Sequence, residues 1–398
     1  MAQRDLADYM RAIQARPVSR RSFLAAAGLT AGSAALAACG AGTASPSVVA
    51  TATPGATAVG PTPGVTPVPV EDALFMYNWS DYISPKNIEK FKAEFGIKTY
   101  QYDTFANNDE LVAKLQGGAS GYDIAAPTAE YVPGMVEGGF LQKLDLSRLP
   151  NIATINPTFK NLWWDPTNEY QVPKDFGTTG ILYRGKLVSK PPASWQDFYD
   201  MAKGEASGKT VIVDSMGDVF VFPLKLLGHS LNSVDPGELE EARQILLDIA
   251  PHVLALDSDT YQDKLASEEA SIVLGWTGPL LELRANPDTA DSAYAVPSEG
   301  TLFWMDTWVM MSDAPHPNAA YAWLNFIQEP HNQGEETNSN GYATCNDAAK
   351  EFVLPELLND PAIFPPADVM PTLEGGQDTS GNAQRLDIWE EFKSKIGG

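Results

Sequence analysis

Between residues 73 and 138, short apolar runs alternate with amphipathic ones three times over. Ala73–Asn78 reads as a buried strand. Ser84 and Pro85 open a helix, the serine as cap and the proline at the first helical position. Ile88, Phe91 and Phe95 recur on one face of it and Gly96 closes it. Residues 98–103 and 122–127 read as further strands. Helices are expected over Asn108–Gln116, with Leu111 and Leu115 inward, and over 130–138. Such alternation implies an α/β fold, a parallel sheet with helices on both faces. Sheets of this kind bind ligands beyond the carboxyl ends of their strands. Trp79 to Tyr82, Asp103 to Asn108 and Thr128 to Tyr131 follow those ends.

The later chain repeats the theme less regularly. The stretch 163–179 is rich in proline and aromatic residues and reads as irregular. A strand is expected at 210–214, followed by Ser215-Met216-Gly217-Asp218 and a helix near 219–227. An amphipathic helix covers 238–249, and strands cover 271–276 and 293–297. A helix at 317–328 is stopped by Pro330, and a last amphipathic helix at 384–396 turns Leu386, Trp389, Phe392 and Ile396 inward. The sequence shows no internal repeat, and composition marks no boundary inside the globule.

Residues 301–311 form a long apolar run rich in β-branched and aromatic side chains, hence a strand, and Asp306 interrupts it. A carboxylate there is costly to desolvate unless something cationic meets it. Trp304 lies two residues earlier and shares its face. An indole face beside a carboxylate suits an organic ammonium, because the ring attracts the cation and the carboxylate takes its hydrogen bonds. The plainer alternative is a structural Trp–Asp pair whose carboxylate meets an arginine or backbone amides.

The N-terminus reads as an address. Ser19-Arg20-Arg21-Ser22-Phe23-Leu24 resembles a twin-arginine export signal. The Ala-rich run from Phe23 to Ala38 is too short and too weakly apolar for a membrane span. It ends in Leu36-Ala37-Ala38-Cys39, similar to the lipobox of bacterial lipoproteins, so cleavage before Cys39 would free a thiol to carry lipid. From Gly40 to Val70 there is no charged and no aromatic residue, which suits a disordered tether.

Of 27 basic and 51 acidic residues, the first 38 positions hold five and two, leaving 22 against 49 in the remainder. No basic surface exists to match phosphates, which argues against nucleic acid. With Cys39 assigned to processing, Cys345 is a lone thiol, read as a small buried apolar residue. Enzyme chemistry finds little support. The phosphate-loop-like run 204–210 is one residue short and precedes a strand, so it reads as a turn. No Gly-x-Ser-x-Gly elbow occurs, and His229, His252, His316 and His331 lack metal-ligand spacing. Asp214 and Asp218 are tied to no nucleophile.

Tyr77-Asn78-Trp79-Ser80-Asp81-Tyr82, Tyr122-Asp123 with Ala126-Pro127, Phe303-Trp304-Met305-Asp306 and Asn340-Gly341-Tyr342 occur in one order. This set resembles the spermidine/putrescine-binding proteins of bacterial ABC importers, from about Leu74 to the C-terminus. The resemblance implies a type II periplasmic-binding-protein fold, two α/β lobes with a ligand cleft between them. By it, residues 72–176 and 304–344 form lobe 1, and 177–303 and 345–398 lobe 2. Residues 1–38 are then a lipoprotein signal peptide, and 39–71 the lipidated cysteine and its tether. It implies cleft-lining aromatics at Trp79, Tyr82, Trp276 and Trp304, carboxylates at Asp306 and Asp218, and polar contacts from Tyr342 and Gln377. The chain departs from the spermidine binders at Glu130, where they have a tyrosine, and at Ser215, where they have an aspartate. Glu130 would then replace the acid lost at Ser215, which leaves spermidine, putrescine and another organic cation all open. The expected protein is a lipid-anchored, extracytoplasmic, monomeric receptor without catalytic activity, cofactor or metal. Its expected partners are a polyamine or similar cation, ABC permease subunits and, through Cys39, membrane lipid. A receptor for a thiamine-like cation and a lipoprotein hydrolase are the competing readings.

Overall fold

In a computed structural model of the chain, residues 68–397 are described. The leader 1–38, Cys39 and the tether as far as residue 67 lie outside them. The described strands form two sheets. The first has seven: β1 (Ala73–Asn78), β2 (Thr99–Thr104), β3 (Ile124–Ala125), β4 (Gln171–Thr178), β10 (Leu302–Met310), β11 (Ala343–Thr344) and β12 (Glu374–Gly375). Their order is β11-β4-β10-β3-β1-β2, with β12 also beside β10. The second has five: β5 (Gly180–Arg184), β6 (Thr210–Ile212), β7 (Val253–Leu256), β8 (Ile272–Gly275) and β9 (Ser292–Ala295), ordered β7-β6-β8-β5-β9.

Strands joined by a helix run parallel, as the alternation requires: β1 with β2 and β3, and β6 with β7 and β8. The sheets are nevertheless mixed. Strand β10 runs antiparallel to β3 and β4, and β5 runs antiparallel to β8 and β9. The chain passes from the first sheet to the second at Thr179, between β4 and β5, and returns through residues 296–301 into β10. The two passages touch, since Thr179 N donates to Leu302 O and Thr301 Oγ1 to Thr179 O.

Each sheet buries its own apolar cluster. Under the first, Phe91 of the helix Pro85–Phe95 meets Trp323 of Pro317–Ile327 edge-on at 5.0 Å. Under the second, Trp195, Phe198 and Phe222 pack against Val211, Ile212 and Leu274. Residues 345–398, expected with the second lobe, divide between them. Cys345, Val353, Leu357, Ile363, Met370 and Leu373 are buried in the first cluster, whereas Ile388, Trp389 and Phe392 join the second.

Several local expectations are corrected. The Ser84 hydroxyl does not cap its helix; it donates to Glu335 across the helix–helix contact. The strand expected at 122–127 shrinks to Ile124–Ala125 because Asp123 turns inward to accept from Phe75 N and His316 N. Pro330 does not merely stop a helix but opens the next, Pro330–Asn340, at its first position. In the last helix Leu386 is 42% exposed, and Ile388 takes the buried place.

The main departure is β4. The stretch expected to be irregular contains a fully buried eight-residue strand, paired on both sides within the first sheet. Its polar residues, proline and glycine hid it. Opposite Pro173 the pairing with β10 shifts register between Asp306 and Thr307, so Lys174 is an extra, bulged residue. A bulge is where a sheet tolerates proline. It also lets neighbouring side chains meet: Lys174 Nζ bonds Asp175 and lies 3.3 Å from the Tyr82 ring centre. This ion pair is buried, with side chains 1% and 5% exposed. Removing one partner of such a pair strands the other. Lys174→Gln is predicted to lower unfolding stability in urea by about 3–5 kcal/mol, and Lys174→Gln/Asp175→Asn by clearly less. Equal losses would contradict the pairing.

Candidate functional site

A cavity of about 220 Å³ lies between the ends of the two sheets. Trp79, Tyr82, Glu130, Ser215, Asp218, Trp276, Trp304, Asp306, Tyr342 and Gln377 all line it. The first sheet supplies one wall. Trp79 and Tyr82 follow β1, Glu130 follows β3 on the turn Ala129–Tyr131, Trp304 and Asp306 alternate along β10, and Tyr342 precedes β11. The second supplies the other, with Ser215 and Asp218 after β6 and Trp276 after β8.

The aromatic rings hold one another in place. Trp304 meets Tyr342 at 5.1 Å, Tyr342 meets Tyr82 at 5.4 Å, and Trp79 meets Trp276 at 5.8 Å from the opposite wall. Trp79 Nε1 donates to Ala126 O at 2.8 Å. Trp304 lies flat over Gly177 of β4, where any side chain would collide, since a Cβ would stand 2.4 Å from the indole. Gly278 makes the same room for Tyr342, whose hydroxyl would lie 2.6 Å from a Cβ there.

The carboxylates differ in how far they are satisfied. Asp218 accepts from three neutral donors: Ser215 Oγ at 2.6 Å, Trp276 Nε1 at 3.1 Å and the Thr179 hydroxyl. Ser215 therefore serves Asp218. Asp306 sits directly opposite Asp175 across β10 and β4. Tyr82 Oη lies 2.6 Å from Asp306 Oδ2 and 2.6 Å from Asp175 Oδ1. Among the described residues Asp306 Oδ1 has no hydrogen-bond partner. Gly376 packs against the Glu130 carboxyl, where a Cβ would stand 2.5 Å from Oε1. Gln377 is exposed at the rim, its backbone N donating to Asn232 Oδ1.

The balance of charge is acidic. Asp81, Glu130, Asp218, Asp259, Glu282 and Asp306 line the cavity, against Arg385 as the one cation among its described residues. Arg385 is spent on Leu231 O, Ser233 O and Thr379 Oγ1. Burial, with repulsion from Asp175, pushes the Asp306 carboxyl up to about 7. Burial, with Asp306 and Asp218 nearby, pushes Glu130 up to about 8. Burial also raises Asp218, against its three donors. Carboxyls held up in this way mark a place built for a positive guest.

Comparison with known proteins agrees with this architecture. The family described as bacterial extracellular solute-binding protein matches residues 86–365. The chain belongs to that family. This solute-binding protein is 32% identical over 327 residues to the spermidine/putrescine-binding periplasmic protein of Escherichia coli, covering 82% of this chain and 91% of that one. It is 30% identical over 340 residues to the putrescine/cadaverine-binding protein of Pseudomonas aeruginosa, covering 83% and 96%. The spermidine/putrescine ABC transporter substrate-binding protein of Streptococcus pneumoniae superposes with a TM-score of 0.68 at 31% identity, covering 82% of this chain and 99% of that one. The fold is thus the two-sheet α/β fold of periplasmic-binding-protein type II receptors.

Sequence reasoning missed Lys174 and Asp175, which stand behind the cavity wall, and Glu336, whose carboxyl accepts from Asn87 and Ser84 N. The available signal was an adjacent Lys-Asp pair wedged between Val172-Pro173 and Phe176-Gly177.

One consequence is measurable as stability. With the Asp306 carboxyl raised to about 7 in the folded chain, stability is predicted to fall as pH rises between roughly pH 4 and pH 7. Asp306→Asn removes that slope. Its melting temperature minus that of the wild type is predicted to grow from about pH 5 to about pH 8. A constant difference would contradict the shifted carboxyl.

Proposed function

We propose that this solute-binding protein captures a polyamine, spermidine or putrescine, in the cavity between its sheets and delivers it to an ABC permease. In this reading each sheet with its helices is a lobe, and the passages at Thr179 and 296–301 are the hinge. Lobe 1 then comprises residues 72–178, 302–344 and the packed segment 345–375, and lobe 2 comprises 180–295 with the last helix. Cys39 carries the lipid, and the tether lets the receptor work just outside the cytoplasmic membrane.

The observation that carries the proposal is the pairing of indole and phenol faces with incompletely satisfied carboxyls. Trp304, Tyr342 and Tyr82 make a continuous aromatic wall beside Asp306, and Asp306 Oδ1 has no partner. A polyamine is an apolar rod with ammonium groups, so its methylenes suit the rings and its charges the carboxylates. Each cation–π contact contributes about 0.5–2 kcal/mol. Each charge-assisted hydrogen bond contributes about 1.5–3 kcal/mol. Residues following the two sheets' strands already bond to one another, Ser80 Oγ to Asp259 at 2.7 Å beside the cavity and Asn107 Nδ2 to Asp214 O at 2.9 Å. Such contacts give a closed state its own stabilisation, and closure is the signal a permease reads.

Another organic cation is a second reading. It is favoured by Asp218, whose oxygens are taken by Ser215, Thr179 and Trp276, so that one wall offers a second ammonium less than the other does. Titration calorimetry on residues 71–398 decides between them. Spermidine or putrescine should bind with measurable heat, and only a response confined to other cations would favour the second reading. Asp306→Asn should weaken polyamine binding about 10- to 100-fold, the loss of one charge-assisted bond, and Tyr82→Phe by less. Wild-type affinity in Asp306→Asn would refute the site.

A further inference from the structure

Tyr82 Oη stands at hydrogen-bonding distance, 2.6 Å, from two carboxyl groups at once. A phenol carries one hydrogen and donates it once. Were Asp175 and Asp306 both ionised, one contact would press an anionic oxygen against a phenol lone pair in a buried place. Both contacts are bonds only when one carboxyl is protonated and donates to Oη while Oη donates to the other.

The surroundings decide which one. Asp175 Oδ2 accepts from the Lys174 ammonium and, at 3.3 Å, from Asn340 Nδ2. Among the described residues the Lys174 ammonium pairs with Asp175, not Asp306, and Asp306 Oδ1 has no partner. The geometry points to a proton stored on Asp306 in the ligand-free receptor, donated to Tyr82, whose own hydrogen goes to the Lys174-held Asp175, and we infer that a bound ammonium takes that proton's place. The inference rests on the cavity accepting an amine cation. The exchange balances: an ammonium arrives with its hydrogens, the Asp306 O–H bond breaks, its electron pair stays on the carboxylate, and the proton leaves to water. Lys174 and Asp175 do not line the cavity. They are positioning residues that set the charge of the carboxyl that does.

The other groups facing Asp306 fit the assignment. Glu130, from the turn after β3, is itself raised to about 8, chiefly by burial, so it is neutral where Asp306 titrates. Glu336, from the helix Pro330–Asn340, is raised by burial to about 7. The phenols of Tyr82 and Tyr342 and the thiol of Cys345 are all driven up, so they stay neutral. The Tyr82 hydroxyl, Lys174 and the Thr128 hydroxyl favour the ionised form but are outweighed by burial and Asp175.

The test is a carbon-13 NMR titration of aspartate-labelled receptor, with the Asp306 signal assigned by its loss in Asp306→Asn. In ligand-free protein this carboxyl should titrate near neutrality. With saturating putrescine it should be ionised about one pH unit or more lower, with proton release seen as buffer-dependent binding heat below neutrality. In Glu130→Gln the Asp306 titration should persist, and in Lys174→Gln/Asp175→Asn it should move to lower pH. An Asp306 carboxylate already ionised near pH 5 in ligand-free wild type, or binding with no proton exchanged between about pH 6 and 7, overturns the inference. Failure of putrescine and spermidine to bind near pH 8 would instead sink the proposed function, and the ligand-free titration would still decide where the proton sits.

Discussion

Two carboxylates face each other across neighbouring strands, Asp306 on β10 and Asp175 on β4. Directly opposed like charges are unfavourable even at a sheet surface, and here both are buried. The structure resolves the conflict with three side chains. Lys174, turned inward by a bulge beside a proline, bonds Asp175 and sits over the Tyr82 ring. The Tyr82 hydroxyl bridges the two acids, and Asn340 braces Asp175. What remains unsatisfied is one oxygen of Asp306, beside Trp304.

That remainder explains how the wider fold serves the site. The first sheet fixes Asp306, Trp304 and Tyr342 on strands or their immediate ends, while the second brings Trp276 against Trp79 and places Asp218 on the facing wall. Glycines at 177 and 278 let the Trp304 indole and the Tyr342 hydroxyl approach the backbone closely. The acidic lining, countered only by an Arg385 already bound to carbonyls, raises the local concentration of cations.

Much of this was legible in the residues. The first strand matches its expected bounds, Ala73–Asn78, and the helix Asn108–Gln116 does too, because both have clean periodicity and a recognisable start or stop. The Trp304–Asp306 spacing also placed both residues on one face, as period-two geometry demands. Strand β4 was not legible. Its lysine, aspartate, proline and glycine are poor strand formers in isolation, and only the bulge and the buried ion pair make them compatible with a central strand. The tail was hard for a different reason: packing, not pattern, sends Leu373 to one core and Trp389 to the other. Asp218 shows the limit at the site, since the resemblance implied a carboxylate for the ligand there and its neighbours Thr179 and Ser215 bond to it.

The central claim is that an organic ammonium is gripped by Asp306 against the face of Trp304. A crystal structure of the protein grown with putrescine or spermidine tests it most directly. The account predicts an amine nitrogen within hydrogen-bonding distance of Asp306 Oδ1 and methylenes lying on the Trp304 ring. Density for the amine elsewhere, with Asp306 Oδ1 still unpaired or bonded only within the protein, would contradict it.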